Sequence, residues 1–334
     1  MVSHGNLLKN SANIYQAFNH NSDSHGVIWL PPYHDMGLIG GIIQPLYGGF
    51  PVTLMSPSSF IRKPIRWLKA ISRYQATTSG GPNFAYQRCL ETITPQQKAE
   101  LDLSSWQVAF TGAEAIAIQT LEEFAEAFAC CGFQREAFYP CYGLAEATLF
   151  VTGKVMEAEG TERQEMIPPT PLTKGGKLPT QTFQEGNVGV LERLSPISLQ
   201  ETCELREPKI IKVDSKELQK NKVVITSEET IKTQKIVSCG RPAIDENIII
   251  VDPETALPCP PETVGEIWVS GASIAQGYWQ DEDATEKAFN AYLPDNKKPF
   301  LRTGDLGFLH QGELFVTGRI KDIIIIRGRN YYPQ

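Results

Sequence analysis

The spacing of apolar and polar positions along the 334-residue chain changes several times, and each change predicts an element. Residues 27–52 read as an apolar strand, a loop, and then an apolar, Gly-rich segment of buried character. Residues 66–74 and 84–93 carry helical patterns. Val108, Ala109 and Phe110 make a short strand that ends in Thr111-Gly112-Ala113-Glu114. Leu121, Phe124, Ala125 and Phe128 then fall on one face of an amphipathic helix that stops near Gly132. Tyr142 opens what reads as another loop-to-helix turn. Strands alternating with helices at this spacing predict α/β layering.

The pattern breaks between residues 154 and 235, where 13 basic and 13 acidic residues accompany a single aromatic, Phe183. So few large apolar groups cannot fill a thick core. The stretch reads as a surface excursion with short strands, one at 223–226, and Pro- and Gly-rich loops around 168–179. Plain expansion of a loop is the competing reading. Beyond Cys239, β-type runs return at 247–251, 266–269, 313–316 and 323–326, close enough together to predict a smaller β-rich lobe.

Composition narrows the function more than the fold. The 41% hydrophobic and 21% charged residues suit an ordinary globular protein. A net charge of -7 argues against a surface built to grip nucleic-acid phosphates, yet allows one small anion in a local basic pocket. No apolar run approaches the roughly 18 residues of a membrane span, and residues 1–10 show no signal-peptide pattern. The seven cysteines form no C-x-x-C pair and no zinc-spaced ladder, and read as reduced cytosolic thiols used as small apolar side chains.

Four segments place polar residues in a Gly-bounded loop just beyond a predicted strand, where α/β sheets bind ligands. In Leu30-Pro31-Pro32-Tyr33-His34-Asp35-Met36-Gly37, a His beside an Asp can donate to a carboxylate or phosphate, although a lone loop His is as easily a surface residue. Ser79-Gly80-Gly81-Pro82 and Thr111-Gly112-Ala113-Glu114 have small residues that let a flat ligand approach the backbone, or that simply make tight turns. In Tyr142-Gly143-Leu144-Ala145-Glu146, Tyr can stack on a base and Glu can hold Mg²⁺, or Glu can merely favour a helix start. Arg302-Thr303-Gly304-Asp305, Gly318-Arg319-Ile320-Lys321-Asp322 and residues 327–331 combine an Asp in a Gly loop with clustered basic residues. They suit a ribose and a phosphate, or a solvated basic turn.

As an ordered set these segments resemble the adenylate-forming superfamily, and the stretches 31–41, 142–149, 302–307 and 318–334 look most like the fatty acyl-AMP ligases. The resemblance implies the large N-terminal α/β domain of that fold with a smaller β-rich lobe, truncated at both ends. It divides the chain into an acyl- and adenine-binding part at 1–153, the charged insertion at 154–238, the β-rich lobe with the ribose loop at 239–318, and a hinge opening a C-terminal domain at 319–334. The implied activity converts a fatty acid and ATP into acyl-AMP and pyrophosphate, with Mg²⁺, for transfer to an acyl carrier protein in the cytoplasm. An acyl-CoA synthetase and a non-catalytic acyl- or nucleotide-binding fragment are the alternatives.

Carried over residue by residue, the resemblance makes Tyr142 the adenine platform, with Gly112, Ala113, Glu114 and Gly143 lining the base pocket. Asp305 takes the ribose hydroxyls, supported by Arg319. His34 lies near the acyl carboxylate and α-phosphate, Glu146 is the Mg²⁺ ligand, and Lys321 is the hinge. Met36, Ser79, Gly80 and Phe84 flank the acyl chain. The family also has a phosphate loop just before the segment matching residues 2–7 and a catalytic Lys on a small domain beyond Gln334. Neither falls within these residues, so the chain alone is expected to be inactive and the complete protein active.

Overall fold

Strand β1 (Gly26–Ile28) is apolar and fully buried, and it lies second from one edge of a seven-stranded sheet. It pairs in parallel with β2 (Val52–Leu54) on one side and β3 (Thr78–Gly80) on the other. The parallel run continues through β4 (Val108–Thr111) and β5 (Phe138–Gly143). Two antiparallel strands, β6 (Phe150–Gly153) and β9 (Arg241–Pro242), complete it. The structure, a computed structural model, describes residues 1–154, 207–227, 232–294, 298–322, 324–326 and 329–331.

Helices cover the sheet, as parallel crossovers require. Ile65–Tyr74, with Ile65, Trp67, Leu68 and Ile71 buried, and Asn83–Thr92 lie close to the patterns read from sequence. Ile118–Phe128 buries Leu121, Phe124, Ala125 and Phe128, and a short 3₁₀ turn carries the chain to Gly132 at φ 83°. Their core is dense in rings: Trp67 packs edge-on to Trp106 and Tyr86, and Phe124 to Tyr86 and Phe133.

The expected Gly-rich buried segment is a π-helix, Met36–Ile43, of which Gly37, Ile39 and Gly41 are buried while Leu38 is exposed. Tyr142 does not open a loop-to-helix turn. It lies within β5, and only the 3₁₀ turn Ala145–Ala147 separates that strand from β6.

Most of the charged insertion, with the loops around 168–179, lies outside the described residues. Its described end forms β7 (Ile210–Asp214) and β8 (Thr233–Val237), an antiparallel pair. The expected strand at 223–226 contributes isolated bridges only, Ile225 to Val213 and Lys222 to Thr263 at its edge. Ile211, Val213 and Ile236 of this pair share a core with Leu306, Phe308 and Phe315, so its apolar residues are used.

A four-stranded antiparallel sheet follows, ordered β10 (Asn247–Val251), β11 (Gly265–Ser270), β12 (Leu301–His310), β13 (Glu313–Arg319). Strands β14 (Ile324–Ile326) and β15 (Arg329–Tyr331) pair as a hairpin, while residues 323, 327 and 328 lie outside the described residues. No described helix is long and apolar enough to cross a membrane.

Candidate active site

The carboxyl-end loops of β1, β4 and β5 open onto a cavity of about 480 Å³. His34, Met36, Gly112, Ala113, Tyr142 and Gly143 line it from the seven-stranded sheet, and Asp305, Arg319 and Lys321 from the other side. Glycine is required at two of these places. A Cβ on Gly143 would lie 1.7 Å from the Leu149 carbonyl oxygen, and one on Gly112 would lie 2.7 Å from that of Cys141. Ala113 takes the left-handed region at φ 65°, a strained conformation of the kind that collects at ligand sites.

Tyr142 and Asp305, 163 residues apart in sequence, meet here: the phenol donates to Asp305 Oδ2 at 2.7 Å. Arg319 Nε donates to Oδ1 at 2.9 Å. Ionised Asp has about four acceptor positions, so each oxygen keeps capacity for a further donor. Burial raises the Asp305 pKa, and the bonds from Tyr142 and Arg319 oppose that rise. The Tyr142 phenol is held far above its ordinary range by burial and then by the Asp305 charge.

Asp305 lies inside β12, where a register shift against β11 distorts the ladder. Buried Glu266 braces this distortion. It accepts from Arg302 Nη2 at 2.8 Å, from Trp268 Nε1 at 2.9 Å and from the Gly304 amide at 3.2 Å. Thr303 Oγ1 donates to the Ile267 carbonyl at 2.7 Å and accepts from the Asp305 amide at 3.0 Å. The carboxylate that receives Tyr142 is thereby fixed at its root.

Glu146 faces the same cavity, and its Oε1 accepts from the Tyr278 phenol at 2.7 Å. That contact and burial push the Tyr278 phenol up to about 12, burial being the larger cause. Glu146 Oε2 has no partner among the described residues. One free carboxylate oxygen suits Mg²⁺, which takes most of its ligands from phosphate and water. Among the described residues no group of three or more His, Cys, Asp and Glu is placed to cage a metal. His34 stands half exposed at the rim, its Nδ1 accepting from the Met36 amide at 3.3 Å and lying 2.6 Å from Asp35 Oδ1, which leaves Nε2–H unpartnered among the described residues.

Four of the residues singled out in the sequence do not line this cavity. Glu114 lines a neighbouring cavity of about 860 Å³ and accepts from the Phe84 amide at 2.7 Å. Ser79 is fully buried, accepting from Trp67 Nε1 at 2.8 Å and donating to the Val27 carbonyl. Gly80 packs against Phe110, and the Phe84 ring lies against Trp29 and Phe60. The apolar wall of the cavity comes instead from Ile14, Phe18, Ile28, Phe50, Phe110 and Phe150. Thr303 of the Arg302–Asp305 segment also lines it, as do His20, Gln44, Thr78 and Tyr278, which no segment singled out in the sequence contains. Of those last four, only Thr78, next to Ser79 on a predicted loop approach, carries a local signal.

The family described as AMP-binding enzyme matches residues 1–175 and 222–279. The chain is 43% identical over 337 residues to the medium-chain-fatty-acid–acyl-carrier-protein ligase JamA of Moorena producens, covering 100% of this chain and 49% of that protein. It is 36% identical to the corresponding ligase TtuA of Teredinibacter turnerae, covering 100% of this chain and 46% of TtuA. The crystal structure of a fatty acyl-adenylate ligase from L. pneumophila, in complex with acyl adenylate and pyrophosphate, superposes with a TM-score of 0.79 at 42% identity. That match covers 96% of this chain and 48% of the other. The chain thus spans about half the length of the curated relatives it matches. The matched family segments carry His34, Gly112, Tyr142, Glu146 and Tyr278, and the chain belongs to the AMP-binding enzymes.

Proposed function

We propose that this chain is the nucleotide- and acyl-binding part of an ATP-dependent fatty acid ligase, which makes acyl-AMP and pyrophosphate and hands the acyl group to an acyl carrier protein. One observation carries the reading: a single cavity joins the Tyr142–Asp305–Arg319 cluster to a deep apolar wall, with His34 and Glu146 also facing it. The names of JamA and TtuA, both medium-chain fatty acid ligases acting on acyl carrier protein, support the same substrates.

In this reading Tyr142 presents its ring to adenine, over backbone kept close by Gly112 and Gly143. The spare acceptor positions of Asp305 take the ribose hydroxyls. The fatty acid lies along Met36, Phe18 and Phe110 with its carboxylate toward His34. A carboxylate oxygen then bonds to the α-phosphorus in line, and the bond from that phosphorus to the bridging oxygen breaks, releasing pyrophosphate with its electron pair. Two anions must meet, and two unit charges 4 Å apart repel by about 4 kcal/mol at an effective dielectric near 20. His34 Nε2 reduces that repulsion as a donor, and fixed positions supply much of the remaining rate. Magnesium held at Glu146 Oε2 would neutralise phosphate charge, and Tyr278 fixes the carboxylate that receives it. The described cysteines are all unpaired, as a cytoplasmic enzyme's would be.

The test supplies the intact protein with ATP, Mg²⁺, decanoic acid and excess CoA, and identifies products by mass spectrometry. Accumulating acyl-AMP, lost in Asp305→Ala, is the expected result. Abundant acyl-CoA would make the protein a synthetase, and no adenylate with any fatty acid would overturn the reading.

A further inference from the structure

The cavity reaches far from its nucleotide end. Thr78 pairs with Val108, and Ala109 with Phe138, which sets Thr78 level with Ala137 across the sheet. Tyr142 lies five residues further along β5, about 16 Å at roughly 3.3 Å per residue. The floor at the Thr78 level is polar. His20 Nε2 lies 3.1 Å from Thr78 Oγ1, and Gln44 Nε2 lies 3.4 Å from His20 Nδ1. Both His20 and Gln44 are more than nine-tenths buried and line the cavity. Aromatic rings enclose the imidazole, Phe50 at 4.6 Å and Phe18 at 5.4 Å between centroids.

One atom of this cluster is orphaned: Gln44 Oε1 is buried with no hydrogen-bond partner. Folded proteins rarely leave such an acceptor unmet, because its desolvation goes uncompensated. Ile14, Phe18 and Phe50, which line the cavity, carry no side-chain donor. The imidazole fixes how much of the amide is spare. When its Nε2–H donates to Thr78, Nδ1 accepts from the Gln44 amide group and Oε1 remains open. When Thr78 donates instead and the Gln44 amide is turned over, Nδ1–H donates to Oε1 and the amide hydrogens remain open. A hydroxyl is both donor and acceptor and satisfies either arrangement.

We propose that Gln44, oriented by His20, recognises a hydroxyl at the far end of the acyl chain, so that the cavity selects ω-hydroxy fatty acids over unsubstituted acids of the same medium length. This rests on the fatty acid reading above. The unsubstituted acid brings a methyl group to a buried amide and leaves it unpaired, whereas the hydroxy acid pairs it. A site with such a group discriminates against the ligand that lacks the matching polar atom.

The experiment measures kcat/KM for acyl-adenylate formation by the intact protein with decanoic acid and with ω-hydroxydecanoic acid, in wild type and in Gln44→Met. The expected preference for the hydroxy acid is about tenfold, the scale of one net buried hydrogen bond. Gln44→Met, similar in volume and apolar, should abolish it and favour decanoic acid. Equal or better use of decanoic acid by the wild type overturns the proposal, as does a preference that survives Gln44→Met. Where the variant does not fold, the wild-type ratio decides. Turnover of decanoic acid without the preference refutes only this inference, whereas no adenylate from either acid refutes the ligase reading beneath it.

Discussion

At the scale of residues, the site depends on a few buried polar atoms whose partners lie far away in sequence. The Tyr142 phenol and Asp305 hold one another, so Tyr142→Phe leaves a buried carboxylate oxygen without its donor. A loss of about 1–3 kcal/mol of stability is expected by denaturant titration, with the aromatic face kept for the base. Tyr142→Ala should in addition weaken AMP by about 1–3 kcal/mol through lost stacking, measured by calorimetry. His20 gives a pH signature: burial lowers its pKa from 6.5 to about 4. Above 6.5 both folded and unfolded chains hold it neutral. Between 6.5 and about 4 only the unfolded chain takes the proton, so stability falls with falling pH across that window, by roughly 3 kcal/mol in all. Stability of His20→Gln followed from pH 7 to pH 4 should lack this component; an unchanged slope would show that other groups cause the acid loss.

At the scale of elements, the bulged meeting of β11 and β12 does for Asp305 what the β5–β6 turn does for Tyr142. Bulges re-aim a side chain at the cost of regular pairing, and here Glu266 holds the irregular backbone. Glu266→Ala strips the acceptor from Arg302, Trp268 and the Gly304 amide together. A loss of about 1–3 kcal/mol is expected, because the Trp268 indole and the Gly304 amide lose their acceptor while Arg302, more than a third exposed, can turn to water, and a conservative Glu266→Gln should keep the fold while raising KM for ATP. A KM unchanged in Glu266→Gln would mean that Asp305 is positioned without it. The same irregularity explains what the sequence could show. Ile65–Tyr74 and Ile118–Phe128 were legible because a helix burying one face repeats its apolar residues. Arg302-Thr303-Gly304-Asp305 read as a loop because its alternation is broken, yet it runs within β12. Ser79 and Thr78 show the limit of a local reading. Successive strand residues face opposite ways, so Thr78 meets the cavity while Ser79 binds Trp67. Nothing in the sequence of β3 fixes which face is which. His20, Gln44 and Tyr278 were illegible for a different reason: their roles come from partners brought by the fold, as with Tyr278 and Glu146, 132 residues apart.

At the scale of the whole molecule, the Tyr142–Asp305–Arg319 cluster joins two cores. Phe138 and Tyr139 belong to the core of the seven-stranded sheet, whereas Leu301 and Leu314 pack in the core of the four-stranded one. Tyr142 belongs to the second core by burial and to β5 by backbone, so it already crosses from one sheet to the other. A ligand gripped by Tyr142, Asp305 and Arg319 adds a further tie that the unfolded chain cannot make. Mass action then sets its size: AMP at one hundred times its Kd should stabilise the fold by about 2.7 kcal/mol. Asp305→Ala should lose that gain, while fatty acid, held by the apolar wall, should still stabilise the variant. Hydrogen exchange locates the effect. Because the cluster draws on β5, β12 and β13, AMP should slow exchange in all three strands together and leave β1 and β2 little changed. Slowing confined to β5 would mean that the base stacks on Tyr142 without the ribose reaching Asp305, and that the four-stranded sheet takes no part in holding the nucleotide.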